Sequence, residues 1–208
     1  MVDVKTFGVV LYEGYELLDV FGPLEAFGML AYGGKWRVLT VAQQAGAVGS
    51  AQGPKAIADF SFEDCPHIDI LLIPGGVGTR REVANEKLLE SIIDRAGKAE
   101  TVASVCTGAS LLAKAGLLDG RSATTNKFSF KWVREQGSRV NWIKQARWVN
   151  DGKFSTSSGV SAGIDMTLSI IARVAGNETA EMIATRMEYE WHRDAAWDPF
   201  AKIHKLVD

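Results

Sequence analysis

Short β-rich runs that break off at glycine-bearing turns and give way to helix-period segments recur along this chain, and that alternation restricts the fold more than any other feature. Residues 4–12 form the first run, Glu13 and Gly14 supply turn chemistry, and 17–30 carries helical periodicity. Residues 36–42 read as a second strand, after which the glycine-rich 46–53 and the run 56–60 predict a hairpin excursion. Residues 68–73, inside HIDILLIPGG, are a short apolar run stopping at Pro74, the pattern of a strand buried on both faces, and 86–98 follows as a helix. The next unit repeats the plan: 101–105 is a strand and 107–118 a helix closed by Asp119 and Gly120. Residues 128–136, 161–174 and 179–189 predict further helices, while 146–150 and 153–157 flank Asp151-Gly152, a type I′ hairpin signal. Such alternation implies right-handed crossovers, so the expectation is an α/β chain forming one domain over residues 1–208. Its mainly parallel sheet is covered by helices on both faces.

Composition narrows the function. With 208 residues, 47% of them apolar, the chain can bury a large core. Its formal charge of −2, with both signs mixed throughout, offers no basic footprint for nucleic acid or an anionic membrane. No apolar stretch approaches the roughly 18 residues of a membrane span. The start, MVDVKTFGVVLY, lacks the basic-then-apolar plan of a secretory leader. A soluble, cytoplasmic protein acting on small molecules, without nucleic-acid or membrane partners, is therefore expected. Cys65 and Cys106 make neither a disulfide framework nor a zinc spacing, and His67, His192 and His204 have no metal-ligand spacing. PGGVGT superficially matches a dinucleotide fingerprint, but Arg81 stands where its last glycine belongs and the loop does not follow the first strand. No metal and no cofactor are expected.

Chemistry concentrates at strand ends. ASVCTGAS puts Cys106 after a strand and immediately before a helix, where unpaired N–H groups stabilise a thiolate. The mechanics are those of a nucleophile elbow without its Gly-x-Ser-x-Gly sequence. A buried structural cysteine is the plainer alternative. Gly75 and Gly76 end another strand in a loop whose backbone donors would face developing negative charge, or which is simply a turn. TTNKF around Asn126 and SSGVSAGID around Gly159 and Val160 are small or polar segments at element boundaries. Asp19, in LLDVFG, reads by itself as a capping or solvent-facing residue. The aromatic tail EYEWHRDAAWDPF, with Trp191, Trp197 and Phe200, is expected to cover the domain or a subunit contact rather than stack on substrate.

LYEGYELLDVFGPLEAF, IPGG, SVCTGA and TSSGVSAGID, in that order and spacing, resemble the DJ-1/PfpI superfamily over nearly the whole chain. The LDVFGP and SVCTG versions resemble its isocyanide hydratase-like branch and the amidotransferase-like domains of AraC-type regulators. The resemblance implies a flavodoxin-like sheet with a nucleophile elbow, and commonly a homodimer. It puts Asp19 where many relatives carry a glutamate contacting the nucleophile. It also implies that the Asn126 and Gly159–Ser161 loops line the site, although Asn126 departs from a histidine seen in some hydratase-like sequences. Thr107 stands where proteolytic relatives carry histidine.

What the resemblance implies is a cysteine-dependent hydro-lyase that hydrates an isocyanide to an N-substituted formamide. Cys106 would be the nucleophile and Asp19 the general acid and base, with Gly75, Gly76, Thr107, Asn126, Gly159 and Val160 around the substrate. Two contacting acids cannot both be charged, so one proton is expected to be shared between them. Alternatives are a glyoxalase-type enzyme acting on reactive carbonyls, a redox or stress sensor built on an accessible, low-pKa Cys106, and a ligand-sensing domain. The last is expected not to bind DNA directly, as no basic recognition segment is present.

Overall fold

The computed structural model describes residues 4–208. Its first unit is strand β1 (Lys5–Val10), helix α1 (Leu17–Ala31) and strand β2 (Trp36–Ala42). An antiparallel hairpin comes next, β3 (Gly46–Gly49) with β4 (Lys55–Ala58), and then the short β5 (Phe60–Ser61). The second unit is β6 (Ile70–Ile73), α2 (Thr79–Glu82), α3 (Glu86–Lys98) and β7 (Thr101–Ser104). A 3-10 turn at Cys106–Gly108 leads into α4 (Ala109–Lys114). After β8 (Ser122–Ala123), α5 (Phe130–Glu135) and β9 (Asn141–Trp142) come β10 (Trp148–Asp151) and β11 (Phe154–Ser157). The chain closes with α6 (Ala162–Ala175), α7 (Asn177–Arg186) and α8 (Phe200–Ile203).

The main sheet has seven strands in the order β10-β11-β7-β6-β1-β2-β5, and every neighbouring pair is parallel except β10 with β11. From β1 the chain moves to β2 on one side, and it later moves from β6 to β7 on the other. Right-handed crossovers in opposite directions put α1 and α3 on opposite faces. The carboxyl ends of β1 and β6 then flank the topological switch point, where sheets of this kind gather ligands. On one face α1 contacts α6, α7 and β2, and Phe7 of β1 stacks on Phe27 of α1 at 3.9 Å. Helix α3 carries a buried stripe of Leu88, Ile92 and Ala96, the i, i+4, i+8 spacing of an amphipathic helix. Strands β6, β7 and β11 are buried at every residue, as sheets covered on both sides require. No helix among the described residues is long and apolar enough to cross a membrane.

The expected α/β architecture holds, with two local corrections. The helix after Cys106 stops at Lys114 rather than at residue 118. Gly116 takes φ 73° there, Gly116 N–H donates to Ala113 O and Leu117 N–H to Leu112 O, each at 3.0 Å. That is a Schellman C-cap, so the stop signal is the glycine in AKAGLL. In the last hairpin Asp151 pairs with Phe154, which leaves Gly152 and Lys153 as the two loop residues. Of these only Gly152 has positive φ (60°), whereas a type I′ turn needs it at both positions.

Candidate active site

Strand β7 ends so abruptly that Cys106 takes φ 55°, a left-handed conformation costing a non-glycine residue about 1–3 kcal/mol. The surroundings over-determine it. Cys106 N–H donates to Ser158 O (3.1 Å), Val105 N–H to Ile73 O (3.0 Å), and the Thr125 hydroxyl to the Cys106 carbonyl (2.7 Å). A Cβ at position 108 would lie 2.3 Å from Ile73 O, so only glycine lets the turn rest against the end of β6. The nucleophile-elbow geometry expected from SVCTG is present.

Asp19, in the first turn of α1, is wholly buried. Its Oδ2 accepts from Gly75 N–H at 2.8 Å, whereas Oδ1 makes no hydrogen bond among the described residues. A Cβ on Gly75 would lie 2.6 Å from Thr107 N and 2.8 Å from Asp19 Oδ2, so the PGG loop is wedged between carboxyl and elbow. The Tyr12 hydroxyl holds this loop from behind, 2.5 Å from Pro74 O and 3.0 Å from Gly75 O.

The two acids act on each other. Burial pushes the Asp19 carboxyl well above the ordinary carboxylate range; the Gly75 N–H opposes this, and so does the Cys106 thiol directed toward the carboxylate. Burial, then the Asp19 charge, drives the Cys106 thiol far upward, against the N–H groups of Thr107 and Val160. Oδ1 nevertheless has no aligned hydrogen bond, so the contact is a close approach of two acids rather than a closed bond. Burial thus works against the thiolate expected from the helix end as long as Asp19 carries its charge. Cys106 is only 6% exposed, and it opens a single 3-10 turn and a six-residue helix, whose dipole does not offset the lost hydration. The same burial works against the accessible thiol expected of a redox sensor.

The remaining expected site residues fall into two groups. Gly75 meets Asp19 and Thr107, and Gly76 meets Thr107, but the donors at 75 and 76 are already engaged. Gly75 N–H serves Asp19, and Gly76 N–H donates to Thr107 Oγ1 at 3.0 Å, so neither is free to receive a developing charge. Thr107 Oγ1 also contacts Thr79 Oγ1 at 3.2 Å. The backbone donors directed at the sulfur are Thr107 and Val160. Asn126, Gly159 and Val160 line a separate cavity of about 180 Å³, with Asn126 so close that a Cβ on Gly159 would lie 2.4 Å from its amide nitrogen. Two of its lining residues meet the elbow: Ser158 O accepts the Cys106 N–H at 3.1 Å, and the Val160 N–H is directed at the sulfur.

Sequence reasoning missed three supporting residues. Tyr12 reads in the sequence only as the end of a strand. Lys127 and Asp198 form an ion pair at 3.0 Å with both side chains 1% exposed. The lysine protons go instead to Thr124 Oγ1, Thr125 O and Ala146 O, at 2.6, 3.1 and 3.0 Å, so the pair is held by charge rather than by an aligned hydrogen bond. A lysine in TTNKF and an aspartate in WDPF carry no signal of meeting. His67 lies 3.4 Å from Asp69 at the surface and His192 stacks on Trp197 at 4.7 Å, in keeping with structural roles, whereas His204 borders the cavity.

The DJ-1/PfpI family description matches residues 5–173. The chain is 33% identical over 182 residues to the isonitrile hydratase of Pseudomonas putida, covering 88% of this chain and 77% of that one. It is 28% identical over 189 residues to the HTH-type transcriptional regulator GbdR of Pseudomonas aeruginosa, covering 89% of this chain but only 51% of the regulator. A THiJ/PfpI family protein from Pseudomonas syringae superposes with a TM-score of 0.80 at 27% identity, over 98% of this chain and 86% of the other. With the elbow, the PGG loop and the switch-point sheet in place, these matches show that the chain belongs to the DJ-1/PfpI family.

Proposed function

We propose that the protein is a cysteine-dependent hydro-lyase that adds water to an isocyanide, giving an N-substituted formamide. The observation that carries the reading is a wholly buried carboxyl with one uncommitted oxygen acting on a buried thiol at an elbow. The 33% identity to an isonitrile hydratase, isonitrile being another name for isocyanide, supports it.

The pair works in its one-proton state, in which thiol with carboxylate and thiolate with carboxylic acid interconvert by one short transfer. The sulfur attacks the terminal carbon while the Asp19 proton goes to that carbon, leaving a thioimidate and a carboxylate. Asp19 then takes a proton from water as hydroxide adds to the carbon, and returns it to the imino nitrogen. When the carbon–sulfur bond breaks, the hydroxyl proton passes to Asp19, formamide leaves and the thiolate with its protonated partner is restored. Water is consumed and no other reactant is needed. The N–H groups of Thr107 and Val160 hold the sulfur's charge in the intervals when it is ionised.

Purified protein given several isocyanides should release formamide with a transient mass adduct at Cys106, and Cys106→Ser should give neither. Absence of formamide from every isocyanide offered would refute the activity. We further propose that it works in the cytoplasm as one domain and as a homodimer, to which Leu18 and Phe21, exposed on α1, would contribute; its mass in solution tests the dimer. A second reading, ligand sensing without turnover, is favoured by the similarity to GbdR. Saturable binding of an electrophile with no product would support it instead.

A further inference from the structure

Among the described residues, the one aligned hydrogen bond that Asp19 receives comes from Gly75 N–H, 2.8 Å from Oδ2. That N–H and the Pro74 carbonyl belong to one peptide unit, and in a trans peptide the two point in opposite directions. The hydroxyl of Tyr12, just past β1, lies 2.5 Å from Pro74 O. One line of contacts therefore runs from the tyrosine through the peptide to the carboxyl: hydroxyl to carbonyl, then amide to Oδ2. A donor on the carbonyl polarises the peptide and strengthens its N–H as a donor. It also fixes which way the peptide faces.

The site needs such a fixture. A Cβ at Gly75 would lie 2.6 Å from Thr107 N and 2.8 Å from Asp19 Oδ2, so the position admits only glycine, and Gly76 beside it takes φ 121°. Two consecutive glycines leave the Pro74–Gly75 peptide free to turn over, which would bring a carbonyl toward the buried acid in place of its donor. The loop as a whole is held without the tyrosine hydroxyl. Glu16 N–H donates to Gly75 O at 2.9 Å, Gly78 N–H to Gly14 O at 3.0 Å and Arg81 Nη2 to Glu13 O at 2.9 Å. Those contacts set where the loop lies, but among the described residues no donor other than Tyr12 meets Pro74 O. Burial raises the Asp19 carboxyl, and the Gly75 N–H is the foremost influence opposing it. The titratable groups that bear on Asp19 are Glu16 just ahead of α1, Cys106 at the elbow and Tyr12 itself, and Glu82 of α2 bears on Tyr12; none of them is a cation.

We propose that Tyr12 is a positioning residue for the Asp19–Cys106 pair: its hydroxyl, donating to Pro74 O, holds the Pro74–Gly75 peptide with its N–H toward Asp19 Oδ2 and so supports the carboxylate form of Asp19. The proposal rests on the acid pair of the proposed function and not on the identity of the substrate.

Alkylation of Cys106 by iodoacetamide, followed against pH, tests it without any turnover. The sulfur–carbon bond forms, iodide leaves and the thiol proton passes to Asp19 or solvent. Intact-mass rates are measured, with Cys106→Ser separating the Cys65 background. The acid limb of the native profile marks loss of the one-proton pair. Tyr12→Phe keeps the ring and removes the donor, so that limb is expected to move to higher pH and the rate on it to fall about tenfold, the worth of one hydrogen bond to a charged group. In the Asp19→Asn background the same substitution should leave the profile unmoved, since a residue acting through Asp19 has nothing left to act on. A lowered melting temperature with the limb in place marks a merely structural tyrosine and overturns the proposal; if Asp19→Asn still moves the limb, the acid pair is spared. A limb that moves equally in both backgrounds also overturns it, because Tyr12 then acts on the thiol directly. A limb indifferent to Asp19→Asn overturns the acid pair and this proposal together. Amide exchange followed by NMR decides the matter independently of labelling. Gly75 N–H should lose protection about tenfold in Tyr12→Phe, while Gly78 N–H, bonded to Gly14 O, keeps its own. Equal protection of Gly75 in the two proteins overturns the proposal whether or not Cys106 reacts.

Discussion

Asp19 and Asp165 are equally withdrawn from water, and burial raises both above the ordinary carboxylate range, yet the two regions hold their acids in opposite ways. Asp165, on α6, receives the Arg147 guanidinium on Oδ2 at 2.6 and 2.5 Å, and the Tyr189 hydroxyl and His192 N–H on Oδ1 at 3.1 and 2.9 Å. Every oxygen is committed and a cation stands against it. Asp19 has one backbone donor, one uncommitted oxygen and a second acid for a neighbour. A buried carboxyl is thus a structural tie where a cation fixes its charge, whereas one without a cation is free to act as the proton carrier of the proposed reaction.

Replacing each acid should separate those roles. Asp19→Asn should lower kcat/KM for formamide formation by about 10²- to 10⁴-fold, the usual worth of a positioned acid–base group. It should not lower the melting temperature. A carboxyl whose folded pKa is raised contributes most stability below its unfolded pKa and loses it as pH rises through the folded value, so at neutral pH the neutral amide removes a burden while still accepting from Gly75. A large drop in melting temperature with activity retained would abolish the contrast.

Asp165→Asn should do the reverse. It leaves Arg147, 5% exposed, without its counter-charge, and a buried pair broken on one side costs about 3–5 kcal/mol, readable by denaturant unfolding. Thr107→Val lies between: it strips the acceptor from Gly76 N–H, costing about 1–3 kcal/mol, while Thr107→Ser restores it.

The smallest effect is a displacement along the pH axis. Activity needs the one-proton pair, so it should fall as pH drops through the raised Asp19 value and the pair gains its second proton. That acid limb should lie above the ordinary carboxylate range. It should stay in place in whatever fraction of Asp165→Asn folds, and an acid limb near pH 4 would exclude Asp19 as the titrating group.

Much of this contrast was invisible in the chain itself. LLDVFG and SAGIDM each present one acid among apolar residues, and neither says whether a cation will meet it. Arg147 reaches Asp165 from β10's approach, and Asp198 reaches Lys127 from 71 residues downstream, positions on the chain that no local pattern links. The PGG loop was legible as a strand end, but that its N–H groups are spent on Asp19 and Thr107 required the loop to be seen against both.

Sequence alone determined the α/β order, the strand ends that lead into Gly75 and Cys106, and the helix that carries Asp19, because strand, turn and helix preferences are settled within a few residues. Tertiary structure decided the hairpin register, the burial of the Cys106 thiol beside Asp19, and which donors remain free. Those depend on desolvation and on partners that only the folded chain brings together, and a buried proton's energy is set by everything around it rather than by its neighbours in the chain.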